Sequence, residues 1–190
     1  MRVIAGSHRG RHLSGPGGTA LRPTSDKVRQ ALFSILGAQV SGGRFLDLYA
    51  GTGAVGIEAL SRGATSVTFV ESDPKTVQLL QKNLRACRLL DRGQIRLEET
   101  AAFLDQKDGW GGPYDVLFAD PPYAALDELE IITQAVRPGL LSEHATVMIE
   151  QDSRTTLPPS IEHASLVRRY VYGDTALYLY GCSTSESTAS

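Results

Sequence analysis

The glycine-rich segment Gly51-x-Gly53-x-x-Gly56 is the first place in this chain where residue types and spacing indicate chemistry. It follows a predicted buried strand at 44–49 that contains Asp47. Glycines in this pattern permit a tight turn and a close approach of ligand to backbone, and the next helix supplies free N–H donors. Dinucleotide-binding proteins share the pattern, so taken alone it predicts a nucleotide-like cofactor without choosing one.

A second segment, Asp120-Pro121-Pro122-Tyr123, follows a predicted strand at 113–120. Consecutive prolines fix the backbone and leave carbonyl acceptors without neighbouring N–H groups, while Asp120 adds a carboxylate and Tyr123 a flat ring. This set suits a planar group with an exocyclic amine, which would stack on the tyrosine and donate its N–H protons to the oxygens. The structural alternative is a proline turn that leaves the strand, with Asp120 capping the next helix.

Further carboxylates follow two other predicted strands. Glu71 lies twenty residues beyond Gly51, the usual place for a group that accepts hydrogen bonds from ribose hydroxyls. Glu98 and Glu99 follow the next strand, and either could reach an adenine edge. Glu99 could instead lie in the first turn of a helix, where negative charge is stabilising.

The elements that must position these residues alternate along the chain. The predicted strands lie at 44–49, 66–71, 94–98, 113–120 and 145–151, and the predicted helices at 57–63, 74–87 and 127–139. Asp73 is expected to cap the second of these helices, with Pro74 at its first position. Two β-rich runs, 164–172 and 175–181, joined by Gly173-Asp174, predict a hairpin. The pattern predicts an α/β fold with a mostly parallel seven-stranded sheet and ligands at the carboxyl ends of its strands.

Three regions are predicted. Residues 1–23 are rich in glycine and end in proline, which favours two short strands or an extended arm that adds little to stability. Residues 24–182 form the main domain, led by an amphipathic helix at 25–36. Residues 183–190 are small and polar and are predicted to be a disordered tail.

Charge is unevenly distributed, although the net charge of the chain is only -2. Residues 1–30 contain one acidic residue, Asp26, and six basic ones, whereas the remainder has 13 basic and 20 acidic residues. A basic arm on an acidic body indicates a polyanionic partner such as nucleic acid. A solvated N-terminus is the alternative. The basic residues are Arg2, Arg9, Arg11, Arg22, Lys27 and Arg29, the last two expected on the polar side of the helix.

Composition excludes several classes of protein. With 190 residues, 42% hydrophobic and 21% charged, the chain is expected to fold as one domain. No apolar run approaches the ~20 residues of a membrane span, so a cytoplasmic location is expected. Cys87, Cys182 and the four histidines lack metal-ligand spacing, and neither a metal site nor a disulfide is predicted.

Asp47 with AGTGAVG, followed by DPPY, resembles the Rossmann-like methyltransferases that use S-adenosylmethionine to methylate amino groups. The similarity extends further, to the bacterial RsmD family, which methylates guanine N2 in small-subunit (16S) ribosomal RNA. The segments that carry it are RGR (9–11), RPTSDKVRQALFSIL (22–36), LDLYAGTGAVGIEALSRGA (46–64), FVESD (69–73) and FADPPY (118–123).

The resemblance implies a role for each matching residue. Asp120, Pro121, Pro122 and Tyr123 would hold the guanine amine and stack on the base. S-Adenosylmethionine would be bound by Asp47, Tyr49, Ala50, Gly51, Thr52, Gly53, Gly56, Glu71, Ser72, Glu99 and Thr100. At position 99 the family more often has Asp or Asn. Ribosomal RNA, either free or within an assembling small subunit, would contact Arg9, Arg11, Arg22, Lys27 and Arg29, and the enzyme is expected to act as a monomer.

Three other functions fit parts of the pattern. A DNA or protein-glutamine methyltransferase shares the motifs, but glutamine-modifying enzymes prefer Asn before the prolines and the basic arm favours nucleic acid. An NAD-dependent oxidoreductase fits the glycines but leaves DPPY without a role, and an acidic Asp47 would repel a diphosphate. A non-catalytic RNA-binding module would use the arm but neither cofactor motif.

Overall fold

The structure, a computed structural model, describes residues 1–15, 25–106, 109–122, 126–137 and 139–183. The helices are α1 (Asp26–Leu36), α2 (Ala54–Ser61), α3 (Pro74–Cys87), α4 (Thr100–Asp105) and α5 (Leu126–Ala135). The strands are β1 (Arg44–Leu48), β2 (Ser66–Glu71), β3 (Gly93–Leu97), β4 (Tyr114–Ala119), β5 (Leu141–Asp152), β6 (Ser160–Ile161), β7 (Ala164–Tyr172) and β8 (Thr175–Cys182). Within these ranges no helix is long and apolar enough to span a bilayer.

All the described strands form one sheet in the order β3-β2-β1-β4-β5-β8-β7-β6. The first five in that order run parallel, and β8 and β7 form the predicted hairpin against β5. The predicted α/β class is therefore confirmed. The predicted strand number is one too low, because the sheet has eight strands. The additional strand, β6, has two residues, too few to produce a recognisable pattern.

Two hydrophobic clusters cover the two faces of the sheet, as side-chain alternation along buried strands requires. On one face, Phe45 and Phe69 pack with Leu32 of α1, Ile57 of α2 and Leu80 of α3. The other face packs against α4, α5 and the segment before β6. The loops at the carboxyl ends of β1 and β4 are thus held by a sheet covered on both sides.

The N-terminal segment, residues 1–15, is folded onto the helices. Val3 and Leu13 are buried in the same cluster as α1, α2 and α3. The segment contains a single antiparallel bridge, between Arg2 and His12, in place of the two predicted strands. Because it contributes side chains to the core, the expectation of an arm that adds little to stability is revised.

Arg29 is not on the polar surface of α1, and that prediction is wrong. Its side chain has no exposed area. The guanidinium donates to the Arg2 carbonyl and, at 3.0 Å, to the Asp26 carboxylate, and Nε lies 4.0 Å from Oε2 of the buried Glu58. Burial lowers the pKa of Arg29, although the neighbouring carboxylates oppose that shift. Arg29 therefore joins α1 to α2 and the N-terminal segment.

Glu58 is the acidic centre of this buried cluster, and its loss should be costly. Its carboxylate accepts the N–H groups of Ile4 and Ala5 at 2.7 and 3.0 Å and pairs with Arg62 at 2.7 Å. We expect Glu58→Gln to lower the free energy of unfolding by about 3–5 kcal/mol, because Arg29 would remain buried with less compensation. Urea unfolding measures the loss, and amide exchange at Ile4 and Ala5 should accelerate.

Arg62→Gln is the matched control for this prediction. It removes the other cationic partner of Glu58. The Arg62 side chain keeps 22% of its area exposed, so the loss of this ion pair should cost only about 1 kcal/mol. Equal losses of stability in the two variants would show that the buried pair with Arg29 does not hold the segment.

Candidate active site

The candidate site lies where the sheet changes direction. From β1 the chain moves to β2 and β3 on one side and then returns to β4 on the other. Ligands of open α/β sheets bind in the crevice at such a point, outside the carboxyl ends of the strands. Leu48 at the end of β1 is in register with Ala119 at the end of β4. The glycine-rich loop and the Asp120 turn therefore leave the sheet side by side.

The loop after β1 has an unusual backbone. Tyr49 has a φ of 60°, which is uncommon for a residue with a side chain, and Gly51 and Gly53 follow at 55° and 76°. The Ala50 N–H donates to the Val70 carbonyl and the Gly53 N–H donates to the Ala50 carbonyl, at 2.9 and 2.8 Å. The loop thus turns tightly over the end of β2, and Gly53 is the N-cap residue of α2.

Each of the three positions of the motif requires glycine for a different physical reason. A Cβ on Gly56 would lie 2.2 Å from the Phe69 ring, so Gly56 permits α2 to pack directly on the sheet. A Cβ on Gly53 would lie 2.0 Å from Leu80 of α3. A Cβ on Gly51 meets nothing closer than 3.9 Å, so that position needs glycine for its left-handed backbone alone.

Asp47 supports the loop from inside the protein. It is buried, and its Oδ2 accepts the Gly56 N–H at 2.9 Å. Burial is the main cause that raises the pKa of Asp47 well above its usual 3.8, and the charges of Asp120 and Glu71 add to the effect. Asp120 after β4 and Glu71 at the end of β2 therefore lie near enough to Asp47 of β1 for their charges to act on it.

The raised pKa of Asp47 predicts a specific pH dependence. The folded protein holds that proton more tightly than the unfolded chain, so this contribution to stability is complete below pH 3.8 and is lost as pH rises through the folded-state pKa. Asp47→Asn removes the titration but keeps an acceptor for Gly56. We expect the unfolding temperature of the variant, relative to wild type, to increase as pH rises above about 4. A difference that does not change with pH, measured by calorimetry, would contradict the buried-carboxylate description.

Glu71, the last residue of β2, contacts the glycine-rich loop directly. Its Oε2 accepts the Gly51 N–H at 2.8 Å and its Oε1 accepts the Asp73 N–H at 2.9 Å. Each carboxylate oxygen can accept a second hydrogen bond, so Glu71 can fix the loop and also accept ligand hydroxyls. Ser72, the next residue, is exposed beside it.

The structure distinguishes the two carboxylates that follow β3. The carboxylate of Glu98 accepts from Arg96 Nε at 2.7 Å and from Gln106 at 2.5 Å, and is therefore held in a surface network. Glu99 is exposed and occupies the N-cap position of α4 without a side-chain capping bond. Thr100 begins α4 and is buried. Of the pair, Glu99 is the residue whose carboxylate faces solvent at this edge.

The second motif leaves β4 at the same edge. Asp120 is half-buried, Pro121 is buried and Pro122 is exposed. Asp120 lies close enough to Asp47 for its charge to raise the Asp47 pKa. Tyr123 lies outside the described residues, so its stacking role stays a prediction.

The predicted RNA-binding residues divide into three groups. Arg9, Arg11 and Lys27 are exposed, and the Arg11 guanidinium donates to the Ala86 carbonyl at 2.8 Å. Arg29 is buried, as described above. Arg22 lies outside the described residues. The exposed members therefore remain available to a polyanion.

Comparison with known proteins places this architecture in a family. The family model described as conserved hypothetical protein 95 matches residues 1–181. Ribosomal RNA small subunit methyltransferase D of Escherichia coli (strain K12) is 38% identical over 182 residues, which cover 95% of this chain and 89% of that protein. This chain belongs to the RsmD family.

Two further matches agree with that membership. The Bacillus subtilis protein YlbH is 35% identical over 180 residues, which cover 95% of this chain and 98% of that protein. The solved structure of the Escherichia coli protein yhhF is 36% identical and covers 96% of this chain and 98% of that one, with a TM-score of 0.85. The RsmD-family fold therefore extends over nearly the whole chain.

One residue at this RsmD-family site was not singled out from the sequence. Asn83 of α3 is buried, and its side chain accepts the Ser14 N–H and donates to the carbonyls of Ser14 and Thr52, at 2.8, 3.0 and 3.0 Å. It thereby joins the N-terminal segment to the glycine-rich loop. Its position 31 residues after Thr52 gives no local signal, because the contact exists only once α3 packs beside the loop.

In the described part of the chain, the side chains that could bind a metal ion are not grouped in the way such a site needs. Among the His, Cys, Asp and Glu side chains that the structure describes, no group of three could hold a metal ion. Cys87 is buried on α3 and Cys182 is half-buried at the end of β8, and both are free thiols. Neither lies at the carboxyl end of β1 or β4.

Proposed function

We propose that this protein transfers a methyl group from S-adenosyl-L-methionine to the exocyclic N2 amine of a guanine in small-subunit ribosomal RNA. The observation that carries the proposal is the adjacency of the glycine-rich loop and the Asp120-Pro121-Pro122 turn at the switch point of the sheet. A cofactor loop beside an amine-binding turn is the arrangement that direct transfer needs. The relative from Escherichia coli is named for methylation of small-subunit ribosomal RNA.

The charges at the site favour this cofactor. S-Adenosylmethionine carries a cationic ammonium and a cationic sulfonium, and the half-buried Glu71 and Asp120 bring two carboxylates to the edge of the sheet beside the buried Asp47. The loop from Tyr49 to Gly53, with Ala50 and Thr52, would hold the methionine part. Glu71 and Ser72 would contact the ribose, and Glu99 and Thr100 the adenine. The same carboxylates would repel the diphosphate of NAD.

The turn after β4 prepares the amine for attack. The lone pair of the guanine amine is delocalised into the ring, which makes the nitrogen a weak nucleophile. Asp120 and the Pro121 carbonyl would accept hydrogen bonds from its two N–H groups, orient the nitrogen towards the methyl carbon and stabilise its developing positive charge. As the bond from nitrogen to the methyl carbon replaces the bond from sulfur, the demethylated product would leave and the nitrogen would release one proton, for which the Asp120 carboxylate would be the acceptor. When bound, the cofactor supplies the electrophilic methyl group. Tyr123 would stack on the base, and the step needs no covalent nucleophile.

Ribosomal RNA, presented within an assembling small subunit, is the substrate we propose, and the bacterial cytoplasm is where it is met. DNA and protein amides are the competing amino-group substrates. The exposed basic side chains of the N-terminal segment favour a nucleic acid as substrate, and the name of the relative favours RNA.

Two measurements test this function. Calorimetry should show S-adenosylmethionine and its demethylated product binding with micromolar dissociation constants, near −8 kcal/mol, and no comparable binding of NAD. A labelled methyl group should then pass to unmodified small-subunit RNA or particles, and not to duplex DNA or to a glutamine-containing protein. Tight NAD binding without S-adenosylmethionine binding would overturn the cofactor, and transfer to DNA or protein would overturn the substrate.

A further inference from the structure

The N-terminal turn is docked on the C-terminal end of α3. The Arg11 guanidinium donates to the Ala86 carbonyl at 2.8 Å, and the main chain of Cys87 lies near enough to His8 to act on its pKa. Ala86 and Cys87 belong to the last turn of α3, where backbone acceptors lack partners within the helix. The basic side chains of the N-terminal turn are therefore held beside the charged side chains at the C-terminal end of α3.

The end of α3 and the turn that follows are themselves basic. Residues 82–92 contain four basic residues and one acid, Asp91. Lys82 lies one turn before Ala86 on the same helix face, which places it beside the Arg11 contact. Arg88 caps the helix and Arg92 follows it. Together we call five of these side chains the basic surface: Arg9, Arg11, Lys82, Arg88 and Arg92.

The positive charge of the basic surface is not neutralised within the part of the chain that the structure describes. None of the ion pairs there includes one of these five side chains. Arg11 and Arg92 donate hydrogen bonds to main-chain carbonyls, which carry no net charge. The pKa of His8 is lowered by its burial and further by Arg11 and Arg92, as a positive surrounding requires.

The basic surface is also close to the proposed cofactor loop. Asn83, three residues before Ala86 on α3, donates to the Thr52 carbonyl of that loop and to the Ser14 carbonyl. Three residues of helix span about 4.5 Å. Phosphates near a nucleotide in the site would thus be within reach of the basic surface, while the chain outside residues 1–30 has 20 acidic and 13 basic residues and so a net negative charge.

We propose that the N-terminal turn and the C-terminal end of α3 form one docking surface for the phosphate backbone of the RNA substrate. This inference rests on the proposed function. In the set of RNA-binding residues, it replaces the buried Arg29 with basic side chains at the end of α3. The charge distribution along the sequence did not single out that helix. Lys82 and Arg88 are its distinguishing members, because a flexible basic arm acting alone would not need them.

The test neutralises those two residues together. Both are exposed. For Lys82→Gln/Arg88→Gln we expect weaker RNA binding, with the slope of log K against log salt shallower by roughly 1.5 because two phosphate contacts are lost. The KM for RNA should rise, while kcat at saturating RNA and the affinity for S-adenosylmethionine should stay at wild-type values.

Arg154→Gln/Arg168→Gln is the matched control. It removes the same net charge from exposed positions near β5 and on β7, towards the opposite edge of the sheet from β2 and β3, which α3 connects. The inference requires that this control bind RNA like wild type. It is overturned if the Lys82/Arg88 variant also behaves like wild type, or if both variants weaken binding equally. A wild-type protein that fails to methylate or bind RNA would instead overturn the proposed function.

Discussion

Asp120→Ala should reduce the rate of methyl transfer by at least about a hundredfold, the scale of losing one well-placed electrostatic group. Asp120 leaves β4 directly beside the glycine-rich loop, because Ala119 and Leu48 are in register. Without its carboxylate the amine would lose an acceptor and the transition state a compensating charge. Single-turnover kinetics with saturating RNA and cofactor measure the effect on the chemical step.

The affinity of the Asp120→Ala variant for S-adenosylmethionine should change by no more than a few-fold, since the role we propose for Asp120 is to hold the amine. Asp105→Ala, at the exposed end of α4, is a control in which the rate should be unchanged. Asp120→Asn should recover part of the rate, because an amide oxygen can still accept one N–H. An unchanged single-turnover rate in Asp120→Ala would remove the turn from the mechanism.

Glu71→Ala should produce the largest loss of cofactor affinity, about ten- to a hundredfold in the dissociation constant for S-adenosylmethionine. Hydrogen bonds to a charged group contribute about 1.5–3 kcal/mol each. The loss has two sources, the proposed ribose contacts and the bond from the Gly51 N–H that fixes the loop. Calorimetry with the demethylated product gives the affinity without turnover.

Glu98→Ala is the matched control for Glu71. It removes a carboxylate that follows the neighbouring strand β3 but is held by Arg96 and Gln106 at the surface. Cofactor affinity should therefore stay at the wild-type value. If Glu71→Ala binds the cofactor as tightly as Glu98→Ala, Glu71 has no part in the cofactor site.

The parts of the site that could be predicted from the sequence are those with local signals. Asp73 and Pro74 begin α3 as expected, and Asp73 accepts the N–H groups of Lys75 and Thr76. The glycine motif and the proline turn were each placed after a strand, and strand ends converge in a parallel sheet. Five parallel strands and the C-terminal hairpin followed from the alternation of apolar runs.

What could not be predicted depends on contacts between distant residues. Arginine is usually a surface residue. Arg29 is nevertheless buried, because inside the fold its guanidinium contacts the Arg2 carbonyl, 27 residues away, and the Glu58 carboxylate. Asn83 reaches Ser14 across 69 residues. Charge counted along the chain likewise separated Arg11 from Lys82, which the fold brings together. Such pairings have no periodicity, so only the packed structure shows them.

The most direct test of the proposed reaction is the chemical identity of its product. Small-subunit ribosomal RNA lacking the modification, free or in particles, is incubated with the protein and isotopically methyl-labelled S-adenosylmethionine, digested to nucleosides and analysed by mass spectrometry. The label should be found in N2-methylguanosine, and the Asp120→Ala variant should leave the RNA essentially unlabelled. Label in any other nucleoside, or in ribosomal protein in place of RNA, would contradict the proposed transfer to the guanine amine.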